Sequence, residues 1–342
     1  MVFTHLYIEL TSACNLECPL CCVGTTPSRE LLHVDRLLKE FSKAGGQYVT
    51  LSGGEPLLRK DWAHIAELST DLRMITTLFT NGTLIKKNLD SLLDLNLLIA
   101  VSLDALDKSI NDLMRGNSYE RVMEAIDILV DAGREKEMAL SYTPSAVNLD
   151  QLELLTEFAV SRGIEHFHVS LMEIRGRAQT AHNYELSEQQ KVQLMKTLYS
   201  LARSHEQVLL IELSEGTDLI YDPWHFGPHI LENPLGKTLK ITAQGQVYTS
   251  TFVEGDLFLL GTYPETSLTE LMQSPKIEIL SENIRKRPQA IPQCIECIFN
   301  PVCCSGVYTL AYNRHNTIWV PDEFCVGNQA IFEEALLSRV NS

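Results

Sequence analysis

At 342 residues, 45% of them hydrophobic and 21% charged, the chain has a globular composition that can bury one large core plus a smaller module. Its 44 acidic residues outnumber 28 basic ones, and the formal charge of −16 argues against nucleic acid or an anionic membrane surface as partner. Signal-peptide, membrane-spanning and low-complexity patterns are absent, which points to the cytosol, where nine cysteines read better as metal ligands or redox groups than as disulfides.

From residue 5 to about 212, short apolar runs alternate with helical patterns, the signature of βα repeats on a parallel sheet. Strands are predicted at 5–10, 48–52, 74–80, 98–103, 138–143 and 166–171. Helices are predicted at 35–44, 61–70, 89–95, 119–132, 149–161 and 187–204. Six βα units are too few to close an eight-stranded barrel, so an open α/β barrel is expected, with its site at the C-terminal strand ends.

Directly after the first strand comes Cys14-Asn15-Leu16-Glu17-Cys18-Pro19-Leu20-Cys21. Closely spaced thiolates suit iron–sulfur or zinc. A closed zinc site needs a fourth ligand, and Cys22, adjacent to Cys21, is poorly placed to supply it. A buried trio of core cysteines is the bland alternative, and the polar Thr11, Ser12 and Asn15 around them do not suit a core.

The other polar runs also fall at strand ends. Ser52-Gly53-Gly54-Glu55-Pro56 follows the second strand, where glycines either form an ordinary turn or let backbone N–H groups approach a polar ligand. The third strand ends in Thr80-Asn81-Gly82 and the fourth in Ser102-Leu103-Asp104, which in isolation are a turn and a helix cap. Ser141 and Thr143 share the face opposite Tyr142, and Asn148 follows. After the sixth strand, Glu173-Ile174-Arg175-Gly176-Arg177-Ala178 offers either surface arginines or a guanidinium fork for a carboxylate.

Composition shifts at 216–234, where Pro223, Gly227, Pro228 and Pro234 predict an irregular bridge carrying His225 and His229. The runs 239–242 and 247–251 then flank Ala243-Gln244-Gly245-Gln246 as a hairpin. Helical patterns follow at 268–274 and 277–287. Cys294, Cys297 and Cys303, with Cys325 returning later, could close around zinc or an iron–sulfur cluster.

In this order the three-cysteine loop, Gly-Gly-Glu-Pro and the later cysteines resemble the radical S-adenosylmethionine (SAM) enzymes, in the branch with C-terminal SPASM or twitch domains. The resemblance implies a partial (β/α)6 TIM-like barrel at 1–212, a bridge at 213–238 and a small α+β SPASM/twitch-like domain with a C-terminal helix at 239–342. It implies a [4Fe–4S] cluster on Cys14, Cys18 and Cys21 whose open iron binds SAM. Gly53, Gly54 and Glu55 would then meet the methionyl moiety and Ser102 and Asp104 the ribose, with Asn81, Ser141 and Arg177 as further cofactor contacts. Leu20 stands where the family commonly has an aromatic residue against adenine.

Cys294, Cys297, Cys303 and Cys325 match the ligands of one auxiliary [4Fe–4S] cluster. Ser250 or Thr251, and Val307, stand where a second such cluster would need cysteine. One closed auxiliary cluster, acting as an electron conduit, is therefore expected. Cys22 and Cys304 are either spectator thiols or hydrogen-atom donors.

The implied activity is reductive SAM cleavage and hydrogen abstraction, most readily from a ribosomally made peptide undergoing crosslinking, epimerisation or oxidation. A small molecule, such as a sugar or tetrapyrrole side chain, is the alternative, and a non-catalytic zinc-stabilised binding module on a decayed barrel is the remote one. A flavodoxin or ferredoxin is the implied electron donor. With the first strand starting near residue 5, no leader-peptide recognition domain is expected within the chain, so a separate recognition protein could hold a peptide substrate.

Overall fold

Alternation along the first strand sets the architecture. In β1 (His5–Thr11), Leu6, Ile8 and Leu10 are fully buried on one face, while His5, Tyr7 and Glu9 point the other way. The apolar face packs under helices. The polar face looks into the sheet's concave side, where the His5 ring bonds Thr50 Oγ1 at 2.8 Å and the Tyr7 hydroxyl donates to Ser52 Oγ at 2.6 Å.

A computed structural model describes residues 3–23, 28–214 and 216–340. Following β1 are β2 (Tyr48–Gly53), β3 (Ile75–Thr80), β4 (Leu98–Ser102), β5 (Met138–Tyr142), β6 (His166–Val169) and β7 (Leu210–Leu213). Each pairs in parallel with its predecessor, and helices such as Val34–Lys43 and Tyr119–Asp131 supply the crossovers. Six of these strands match the predicted ones within a residue or two at each end. Strand β7 is a seventh; Leu210-Ile211-Glu212-Leu213 is too short and too mixed to stand out from the preceding helix. The helix Lys108–Arg115 was also not predicted, since Asp107 caps it by accepting from Ser109 N and Ile110 N while its apolar residues are few.

The second region is continuous with the first. Strands β8 (Thr238–Ile241), β9 (Gln246–Tyr248) and β10 (Leu259–Thr262) extend the same sheet in the order β10-β9-β8-β1-β2-β3-β4-β5-β6-β7. Because β8 is parallel to β1 and β9 antiparallel to β8, the expected hairpin is present, lengthened by the unforeseen β10. Strands β7 and β10 are the sheet's two edges, and the barrel is open as expected.

The bridge is where expectation and structure differ most. Instead of irregular chain, it contains the helices Thr217–Tyr221 and Pro223–Glu232. Pro223 occupies the first turn, where a missing N–H costs nothing. Pro228 lies inside the helix, one turn on. Gly227 lets this helix meet the segment 302–304: a Cβ there would stand 2.5 Å from Val302 O and 2.8 Å from Cys304 Sγ. The helices Pro275–Ala290 and Cys325–Val340 complete the second region, the latter packing on Glu188–Ser204. Among the described residues no helix is long and apolar enough to cross a membrane.

Candidate active site

The three-cysteine loop leaves β1 at the C-terminal end of the parallel sheet and is flanked on four sides, with hydrogen bonds from three of them. From below, Gly54 N–H donates to Thr11 O at 2.7 Å and Glu55 N–H to Ala13 O at 2.8 Å. This approach demands glycine, since a Cβ on Gly53 or Gly54 would lie 2.2 Å from Thr11 O or 2.1 Å from Ala13 O. Gly53 also sits at φ +128°, a conformation L side chains avoid. The Gly-Gly turn thus seats the cysteine loop, to which the Gly54 and Glu55 N–H groups both donate.

Glu55 is likewise turned inward. Its carboxylate is fully buried and accepts from Leu57 N at 3.1 Å, Thr80 Oγ1 at 2.8 Å and Asn81 N at 2.8 Å. Both oxygens already fasten β2 to β3, so a contact to the methionyl moiety would have to share this carboxylate with the sheet. Burial pushes this carboxyl up to about 7, against the pull of its three donors.

On the second side, Asn81 Nδ2 donates to Asn15 Oδ1 at 2.9 Å and reaches Cys14 Sγ at 3.8 Å. Leu16 N–H also approaches this sulfur, at 3.4 Å. On the third, Asp104 is committed to Arg115 Nε at 2.6 Å and Thr143 N at 2.8 Å. A ribose contact by this carboxylate would use the acceptor sites that these two partners leave. Arg115 belongs to the unpredicted helix, and its charge bears on Cys18, whose thiol burial pushes up to about 11. Ser102 and Ser141 are register partners on β4 and β5, Ser102 half-buried and Ser141 buried. Asn148 is fully buried, bracing Asp104 O and Thr143 O.

Arg177 forms the fourth side. Its Nε–H donates to Cys18 O at 2.8 Å and its backbone N–H to Cys21 O at 3.0 Å, from a loop 159 positions away in sequence. Arg177, expected as a cofactor contact, thus braces the cysteine loop through Nε and its backbone N–H, bonds that do not involve its terminal guanidinium nitrogens.

Cys22 turns toward Glu173, Arg175 and Lys240, and burial together with Glu173 pushes its thiol up. Cys304 is elsewhere. Buried at the end of the helix Asn300–Cys303, it packs against Gly227, a placement that does not suit a donor at the barrel mouth.

Cys294, Cys297, Cys303 and Cys325 line one cavity, with Asp322 and Gln329 beside them. Its volume of about 80 Å³ is several times the roughly 10–15 Å³ that one water requires. Gln329 Nε2 points at two of the sulfurs, 3.7 Å from Cys297 and 3.8 Å from Cys325. The buried guanidinium of Arg287 is held by the carbonyls of Ser305, Gly306, Ile318 and Val320; burial pushes the Cys294 thiol up, and the Arg287 charge offsets part of that. Among the described residues no three His, Cys, Asp or Glu side chains are gathered closely enough for a single ion. Four thiols around one cavity are a donor set that either an iron–sulfur cluster or a zinc ion would take. In the barrel, the three thiols on a loop braced by N–H donors fit a cluster with one open corner.

A larger cavity of about 470 Å³ is lined by Ser250, Thr251 and Val307, with His229 and Asp218 forming an ion pair on its wall. His225 pairs with Asp222 at 2.6 Å, so both bridge histidines have acidic partners. Arg115, Arg287, Asp322 and Gln329 escaped sequence reasoning because they carry no motif.

Residues 8–171 match the model of the radical SAM superfamily. Among curated proteins, the chain is 27% identical over 290 residues to the GTP 3′,8-cyclase of Shewanella denitrificans, covering 79% of this chain and 84% of that one. It is 25% identical over 346 residues to the AdoMet-dependent heme synthase of Methanosarcina barkeri, covering 93% and 95%. Among solved structures, anSMEcpe with bound AdoMet and the Cp18Cys peptide superposes with a TM-score of 0.76 at 18% identity, covering 98% of each chain. At that identity the likeness is one of fold.

Proposed function

Since this chain belongs to the radical SAM superfamily, we propose that it is a peptide-modifying enzyme that abstracts hydrogen from a substrate C–H bond. The observation that carries this reading is the three-cysteine loop, clamped at the strand ends by the Gly53-Gly54 turn, Asn81 and Arg177. Cys14, Cys18 and Cys21 would hold a [4Fe–4S] cluster, which with SAM bound and an electron supplied would provide the reductive cleavage of SAM. The chain's own work is placement: Asn81 and Arg177 keep the cysteine loop at the mouth.

Ser102 and Ser141 are the side chains left for cofactor hydroxyls, now that Asp104 is held by Arg115. Cys294, Cys297, Cys303 and Cys325 would hold the auxiliary cluster in the second region, residues 239–342, and Cys22 is the thiol proposed to return a hydrogen atom. A flavodoxin or ferredoxin supplies electrons, and a separate protein presents any leader peptide.

The peptide reading is supported by the fold shared with anSMEcpe, solved with a bound peptide. The names of the curated relatives support a second reading, in which the substrate is a small molecule. Anaerobic reconstitution tests the proposal. About eight irons per chain, as for two [4Fe–4S] clusters, with formation of 5′-deoxyadenosine on adding SAM and reductant, is the expected result. Absence of iron binding would end it.

A further inference from the structure

Five charged side chains form one run of ion pairs at the inner side of the barrel mouth. Lys240 on β8 meets Glu9 on β1 at 2.8 Å and Glu254 Oε1 at 2.6 Å. Arg175, in the loop after β6, meets Glu173 through Nε at 2.8 Å and reaches the same Glu254 Oε1 through Nη1. The two cations are deeply buried, with side-chain exposures of 1% for Lys240 and 12% for Arg175.

The charges do not balance. Lys240 has Glu9 and Arg175 has Glu173, two complete pairs, and Glu254 is a third carboxylate for two cations. A surplus buried anion is costly unless held tightly, and here one oxygen takes both donors at once. Glu254 is also the outermost member, 30% exposed, on the loop joining β9 to β10. If it swings out, each cation keeps its own partner. If another carboxylate enters, the total charge is unchanged.

We propose that Arg175 and Lys240 form the seat of a substrate carboxylate, which Glu254 occupies in the free protein. This rests on the proposed function only in calling the incoming molecule a substrate. The guanidinium supplies a directional donor pair and the ammonium a point charge, a combination suited to a carboxylate. The carboxylate of SAM offers the same chemistry, and the SAM arm of the test below separates the two sources. The seat also adjoins Cys22, next to the third cysteine of the loop, whose thiol feels Glu173, Arg175 and Lys240. A peptide C-terminus or an acidic side chain carries the required group.

The test uses the full chain, anaerobically reconstituted, with glutarate as the carboxylate probe, glutaramide as its neutral counterpart, and SAM. Binding is read by calorimetry without reductant, so turnover is not involved. Glu254→Gln, on an exposed loop, removes the internal competitor and is expected to bind glutarate at least tenfold more tightly than the unmodified chain, with glutaramide unaffected. Arg175→Gln, checked for native circular dichroism, is expected to lose that gain when combined with Glu254→Gln. Equal glutarate affinity in the two proteins, no glutarate binding by either, or equal gains for glutaramide would overturn the seat. A tenfold gain for SAM alone would transfer it to the cofactor and overturn the substrate assignment. A gain for glutarate in a protein that makes no 5′-deoxyadenosine would leave the seat standing while the radical reading failed.

Discussion

Replacing Arg177 with alanine tests whether this side chain braces the cysteine loop or binds a ligand. Its Nε–H donates to Cys18 O at 2.8 Å in a part-buried setting. A hydrogen bond from a charged donor contributes about 1.5–3 kcal/mol net, which at about 1.4 kcal/mol per factor of ten is an equilibrium change of roughly 10- to 150-fold. The backbone bond from Arg177 N to Cys21 O survives the substitution, so the loop is loosened rather than released. The assay is iron loss from the reconstituted protein under an excess of an Fe(II) chelator. Iron from the barrel loop should leave roughly 10- to 150-fold faster in Arg177→Ala, while iron from the four-cysteine cavity leaves at the unmodified rate. Lysine should recover little, because it has no donor at the Nε position. Unchanged iron loss together with weakened SAM binding would refute the bracing role and restore the carboxylate fork.

Three further outcomes are expected. Glu55→Gln places an amide N–H₂ against a donor whichever way it turns, since Leu57 N, Thr80 Oγ1 and Asn81 N all donate to that side chain; denaturant titration should show a loss of about 1–3 kcal/mol. Gln329→Leu removes the N–H groups aimed at Cys297 and Cys325 and should lower the potential of the cluster proposed for that cavity, measured by spectroelectrochemistry, because hydrogen bonds to sulfur stabilise the reduced state. Burial lowers His5 and His168 to about 4 from 6.5, so the unfolded chain takes up their protons first as pH falls. Their stabilisation is present above pH 6.5 and lost toward pH 4, about 3 kcal/mol each, and glutamine at either position should remove one proton from the pH dependence of unfolding.

Most of the parallel sheet was legible because β1 to β6 are runs of apolar residues punctuated by glycine and polar caps, a pattern set by local physics. The placement of the motifs at strand ends was legible for the same reason. The partners of those motifs were not. Asp104 looked available until the helix Lys108–Arg115 brought Arg115 to it, and Arg177 looked like a fork until chain folding placed it over Cys18. Such pairings depend on tertiary approach between segments far apart in sequence. Glu9 and Lys240 left a usable trace, since each is a charge set in an otherwise apolar strand, where an unpaired charge would be prohibitive. The bridge was misread because its prolines lie at a helix start and within a turn that tolerates one, which composition alone does not separate from loop.

The pairing of β1 with both β2 and β8 also fixes when the molecule can be finished. A ribosome adding about 5–20 residues per second needs roughly 10–50 s to travel from the first of these strands to the last. Throughout that interval β1 has one bare edge, and Glu9 waits without Lys240. The nascent chain must therefore be kept from pairing that edge with a neighbour, and folding of the barrel's first half is held open until its second region emerges.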